Sequence, residues 1–245
     1  MKKLALIETK LFLREPIAIF FAVALPVVLL LALGMSIPGF RDPDPTRGGE
    51  RFVDAAFPSV IVLLSVATLA FSVLPTTLVI YRERGVLRRM ATTPVRPTAL
   101  LTVQLAINAA TATLATVLAL GVGHVLLDVP VPRMFAAFLG MFVLGGAALF
   151  AIGLFLTAVV PTARAMQAIG SAVFFPMMFL AGLWLPRDLM PEVLRRVSDI
   201  TPTGAYGAAL RDTMAGHAPS LLHVGVLVAW AALAGGAAVR LFRWQ

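Results

Sequence analysis

Residues 55–81 read AAFPSVIVLLSVATLAFSVLPTTLVIY, twenty-seven positions without an Asp, Glu, Lys or Arg. At a rise of ~1.5 Å per residue a helix of this length reaches about 40 Å, more than the ~30 Å of a bilayer's hydrocarbon core. A helix at the surface of a soluble core would show a polar face, and this stretch is apolar all round. It predicts a membrane-spanning helix. Five further runs lack charge in the same way: 17–40, 97–127, 134–163, 165–186 and 213–239. Arg164 alone parts the fourth run from the fifth, and the Pro and Thr of VVPTARA (159–165) predict a tight turn there.

Composition agrees. Hydrophobic residues make up 60% of the 245 positions and charged residues 13%, against roughly 45–50% and about 25% in soluble domains. The mean hydropathy is +0.94. A soluble core of this size could not hide that excess. A β-barrel would alternate in ten-residue segments instead. The expected fold is an all-α integral membrane protein with six spans in one domain, 1–245. With no cysteine, disulfides and Cys-ligated metal sites are excluded.

Lys and Arg set the orientation. With the N-terminus inside, the inner segments hold twelve of them and the outer segments eight; three acids fall inside and nine outside. Both termini are expected in the cytoplasm of a cell whose plasma membrane the chain crosses. The formal charge of +8 is spread over loops, so no nucleic-acid partner is expected. Residues 1–16, MKKLALIETKLFLREP, predict a short helix on the inner surface, with Lys3, Lys10 and Arg14 on one stripe beside Leu4, Ile7 and Leu11. No cleavable signal peptide is expected there.

Catalytic motifs are missing from the sequence. It has no Walker loop and no His pair at metal spacing; His124, His217 and His223 lie near predicted helix ends. The six runs contain no acid or base, which disfavours a proton- or sodium-driven secondary transporter and a membrane-embedded lipid-modifying enzyme. Gln104 and Asn108, one turn apart in the third run, read either as a substrate-contacting pair or as interhelical hydrogen bonds. Pro26, Pro75 and Pro176 are expected to kink their helices.

Two stretches stand apart. The first is YRERGVLRRMATTPVRPTALL (81–101), which gathers Arg82, Arg84, Arg88, Arg89 and Arg96 around one acid, Glu83. It reads either as an orientation signal or as a compact cytoplasmic hairpin, with Gly85 ending one helix and Pro94 opening the next. The second, LPRDLMPEVLRRVSDITPTGAYGAALRD (185–212), lies outside. It predicts a short amphipathic helix over 187–200, with Leu189, Val193, Val197 and Ile200 sharing a side, Pro191 in its first turn and Pro202 closing it.

Both stretches resemble type-two ABC transporter permeases, the drug and antibiotic exporter group in particular. Glu83, Gly85, Leu87, Arg88, Arg89, Pro94 and Val95 match that family's inner signature, with Val86 where a Thr is usual. Pro176, Gly182, Pro186, Pro191, Leu194, Pro202, Tyr206, Leu210 and Arg211 match its fifth helix and outer re-entrant segment, with Pro-Thr-Gly-Ala-Tyr spaced unlike the usual turn. The resemblance implies a half-transporter that pairs with a second permease, the same or homologous, within membrane lipid. A soluble ATPase subunit carries ATP and Mg, and this chain carries no cofactor of its own. Coupling to that ATPase is implied at Glu83, Arg84, Gly85, Arg88, Arg89 and Pro94, and the outer re-entrant segment at Pro186, Pro191, Pro202 and Tyr206; Gln104 and Asn108, read from the residues alone, are the candidate substrate path. The cargo implied is an amphiphilic or lipophilic compound.

The topology is testable, because single cysteines enter a cysteine-free background. One at Thr46 or Ser198 should react with an impermeant thiol reagent from outside and one at Thr92 should not. Outside labelling at Thr92 would overturn the orientation.

Overall fold

A computed structural model of the chain describes residues 2–43, 49–86, 89 and 97–241. Helix α1 is Lys2–Phe12. The spans follow as α2 (Pro16–Ser36), α3 (Ala56–Glu83), α4 (Pro97–Leu127), α5 (Phe135–Val159) and α6 (Ala163–Leu180). The segment between α6 and the last span, expected outside from the charge distribution and called the outer segment below, holds α7 (Glu192–Ile200) and α8 (Pro202–Ala215). Helix α9, Leu221–Leu241, is the sixth span. No strand occurs among the described residues. The turn between α5 and α6 falls at the expected VVPTARA, where Thr162 caps α6 by accepting from the Ala165 N–H at 3.2 Å.

Helix α3 is the central post. Its most apolar window is 89% buried, against 39% or less in each of the other spans, and every residue from Phe57 to Thr68 is buried. Helices α2, α4, α5, α6 and α8 all pack on it, and α9 packs along α5.

Pro75 explains the post's middle. Proline has no N–H and its ring crowds the carbonyl four residues back. The chain answers with a π turn over Leu69–Val73, in which the Leu74 N–H reaches back to the Leu69 oxygen. Pro26 follows an equivalent π turn over Phe20–Ala24 in α2. Two carbonyls of the α3 turn meet glycines of neighbouring helices. A Cβ on Gly153 of α5 would lie 2.0 Å from the Ala70 oxygen, and one on Gly170 of α6 would lie 2.7 Å from the Phe71 oxygen. Such approaches suit Cα–H···O contacts, which only glycine permits at this range. Pro176, the third proline, sits inside α6 without a π turn.

The outer segment departs from expectation at its end. The fifth run reads to residue 186, but α6 stops at Leu180, where Gly182 adopts a left-handed φ of 94°. A short 3-10 turn, Arg187–Leu189, and the extended Met190–Pro191 precede α7, so 187–200 is two pieces. Leu189, Val193, Val197 and Ile200 are all exposed. The sixth run begins at 213, yet Thr213–Ala215 belong to α8, which Gly216 ends at φ 91°. Pro202 opens α8 at N1 instead of closing the outer helix. Ser198 is fully buried, so a labelling cysteine there belongs at exposed Val193 instead; Thr46 and Thr92 lie outside the described residues.

The glycine contacts generate a paired prediction. Gly153→Ala should destabilise the fold by about 1–3 kcal/mol, because the methyl meets backbone that cannot swing aside. Gly140→Ala in the same helix meets nothing within 4 Å and should be neutral or mildly stabilising. Thermal unfolding in detergent compares them, and equal midpoints would refute the close approach at Ala70.

Candidate functional site

Helix α3 ends at the glycine the sequence marks. Gly85 takes φ 67°, its N–H bonds the Arg82 oxygen, and the Arg84 N–H bonds the Ile80 oxygen. A left-handed residue one step past the last turn is where glycine costs least. Glu83, Arg84 and Arg89 are exposed around it, and Arg89 Nη2 donates to the Arg84 oxygen at 3.2 Å. Arg88 and Pro94 lie outside the described residues.

Arg82 does a different job. Its guanidinium donates to the Thr157 oxygen at 2.9 Å and also to the Val160 oxygen. These are last-turn carbonyls of α5, which no residue of α5 can satisfy. One of the five arginines therefore fastens α3 to α5, and its charge sits at the negative end of that helix dipole.

Gln104 and Asn108 are both buried, and both hydrogen-bond within the protein. Gln104 Nε2 donates to Glu8 Oε2 at 2.7 Å, and Asn108 Nδ2 donates to the Gln104 oxygen at 2.8 Å. Tyr81 Oη also donates to Glu8 Oε2, at 2.7 Å. Gln104 thus bonds between helices, to α1, whereas the Asn108 bond stays within α4 and its buried Oδ1 meets no hydrogen-bond partner among the described residues. Glu8 itself went unrecognised in the sequence. Its signal was position: it falls on one helical face with Leu4 and Phe12, and that face, not the one carrying Ile7 and Leu11, is turned inward.

A groove of about 770 Å³ runs between α2, α3 and α6. Phe21, Leu25, Phe175 and Trp184 line it, with the hydroxyls of Thr68, Ser72 and Thr76 along α3. Glu15 is its one charged lining residue, and neither Gln104 nor Asn108 borders it. Among the described residues no group of His, Cys, Asp or Glu could hold a metal ion.

At the opposite end the outer segment is tied down. Ser198 Oγ donates to the Leu180 oxygen at 2.7 Å and Thr203 Oγ1 to the Met177 oxygen at 2.7 Å, both carbonyls of the last turn of α6. Tyr206 is fully buried, donates to the Phe142 oxygen at 3.3 Å and lies flush on Gly145, where a Cβ would come within 2.1 Å of its ring. Pro186 and Pro191 precede the 3-10 turn and α7 as extended residues. Asp199 joins Arg187 to His223, whose Nε2 lies 3.0 Å from Asp199 Oδ1. Burial alone would raise the Asp199 carboxyl, but hydrogen bonds from His223 and Arg187 and the Arg187 charge hold it below its ordinary value.

A depressed carboxylate stabilises the fold above its unfolded value and loses that contribution as pH falls through its folded value. Asp199→Asn should therefore lower the thermal midpoint at neutral pH, by the equivalent of about 1.5–3 kcal/mol for a charge-assisted bond. The gap to the parent chain should close below about pH 4. A gap that persists there would place the loss elsewhere.

Residues 2–215 match the family model described as ABC-2 type transporter. No curated protein matches the chain. The match takes in α1, the first five spans, the Gly85 helix end and all of α7 and α8, so on sequence as well as architecture the chain belongs to the ABC-2 type transporter family, as a membrane-embedded permease.

Proposed function

We propose that this permease moves an amphiphilic or lipophilic compound outward across the plasma membrane, driven by a separate soluble ATPase that carries ATP and Mg. The observation that supports this reading is the family match over residues 2–215, together with an apolar, hydroxyl-edged groove carrying a single charge. Such a lining accepts an apolar body and a few polar groups but would strip water from a small ion at high cost. A second permease subunit, the same or homologous, would close the groove's open side. Both termini and the hairpin face the cytoplasm in this reading, as the distribution of Lys and Arg favours.

Force would enter at the hairpin. Glu83, Arg84 and Arg89 stand exposed around a glycine-ended helix, and Arg88 and Pro94 complete the joint by resemblance. Acids on an ATPase surface would pair with Arg88 and Arg89. Truncating a buried pair of this kind costs about 2–5 kcal/mol, and a rim pair far less.

The reading expects a neighbouring gene for a soluble ATPase with a Walker loop, and the test is co-purification with that ATPase, followed by hydrolysis with and without candidate compounds. Arg88→Glu with Arg89→Glu should leave the permease inserted and paired. It should also weaken ATPase binding by about 30-fold or more, or abolish compound-stimulated hydrolysis. Normal export by a correctly inserted double variant would end the coupling role given to these arginines.

A further inference from the structure

We propose that Glu8 makes α1 part of the coupling joint: its carboxylate locks the surface helix to both arms of the hairpin, so that the three move as one body. This rests on the exporter reading above. Helix α1 buries a single residue, and that residue is an acid, Glu8, only 6% exposed. Its apolar side chains Leu6, Ile7 and Leu11 are exposed. Eleven residues are too few to hold a helix in water on their own, so its position depends on what it docks against: on the docked face Glu8 is the one fully buried residue, with Leu4 and Phe12 half-buried beside it.

The bonds converge. Tyr81 Oη and Gln104 Nε2 each donate to the same Glu8 oxygen at 2.7 Å, within the range of charge-assisted bonds. Tyr81 stands four residues before Gly85, where α3 ends, and Gln104 seven residues after Pro97, where α4 begins. One oxygen therefore bridges the outgoing and returning arms. No Lys or Arg pairs with Glu8 among the described residues. A buried carboxylate held by neutral donors is tolerated only while those donors stay, since the desolvation cost remains if one leaves. Separating the arms, or sliding either past α1, would strand that charge. The joint thus resists relative motion of its three parts and passes displacement of the hairpin on to a helix whose exposed Leu6, Ile7 and Leu11, flanked by Lys3 and Lys10, suit the membrane surface.

Glu8 is a positioning residue in this account, because it touches neither ATP nor cargo. The test uses the full chain with its ATPase in lipid nanodiscs. Spin labels go on cysteines at Thr9 and Thr102, both exposed, and their separation is read by pulsed EPR. In the parent the distribution should be narrow and the same with and without ATP. Glu8→Ala should broaden it and reduce the permease-dependent change in ATP hydrolysis by about fivefold or more, with KM for ATP unchanged because the nucleotide pocket is untouched. Tyr81→Phe removes one donor while keeping the ring, and should give a partial loss. Glu8→Gln keeps an acceptor and should recover most of the coupling. A narrow distribution in Glu8→Ala, or a broad one with hydrolysis like the parent, overturns the proposal. If the parent binds no ATPase at all, the exporter reading fails and the coupling role falls with it, while the label distances still report whether Glu8 fastens α1.

Discussion

In hydrocarbon a backbone carbonyl without a partner has no water to turn to, and the ends of these helices are organised around that constraint. Left-handed glycines at 85, 182 and 216 close α3, α6 and α8. Donors also arrive from distant parts of the chain: Ser198 to the Leu180 oxygen, Thr203 to the Met177 oxygen that the Ala181 N–H also meets, and Arg82 to the end of α5. These bonds do more than repair helix ends. They decide that the outer segment folds back over α6 and that α3 and α5 end at one level. The packing of α8 against α5, with Tyr206 on Gly145, then follows.

The two ends of the molecule consequently differ in kind. The outer segment is closed upon itself, its Asp199 shared between Arg187 and His223 and most of α8 buried. The hairpin end keeps Glu83, Arg84 and Arg89 outside and places one closed polar knot, at Glu8, beneath them.

Spans were legible in the sequence because length and absence of charge are the same signal in every bilayer helix, and four of the six begin and end within four residues of the uncharged runs. Helix α8 was not, and for a physical reason. Its Pro, two Gly, Arg211 and Asp212 read as an outer loop, and only contact with α5 and α3 shows that small residues let it pack inside. Gly85 announced its own turn, since few residues tolerate that φ. Arg82 did not announce its partners, which lie 75 and 78 positions away. Gln104 drew attention as a polar group in an apolar run, but its partner was an ordinary acid on a surface helix, and nothing local marks a carboxylate that tertiary structure will bury.

The π turn at Leu69–Val73 has a consequence for angle. Each residue of an α-helix advances about 100° around the axis, so one extra residue held in a widened turn rephases everything after it. Tyr81 and Arg82 lie beyond that turn, and each meets its partner in the direction it now points. Straightened into unbroken α-helix, the same sequence would aim the hydroxyl away from Glu8 and the guanidinium away from α5. Pro75, buried inside the span and six residues before Tyr81, thus sets the compass bearing at which α3 leaves the bundle.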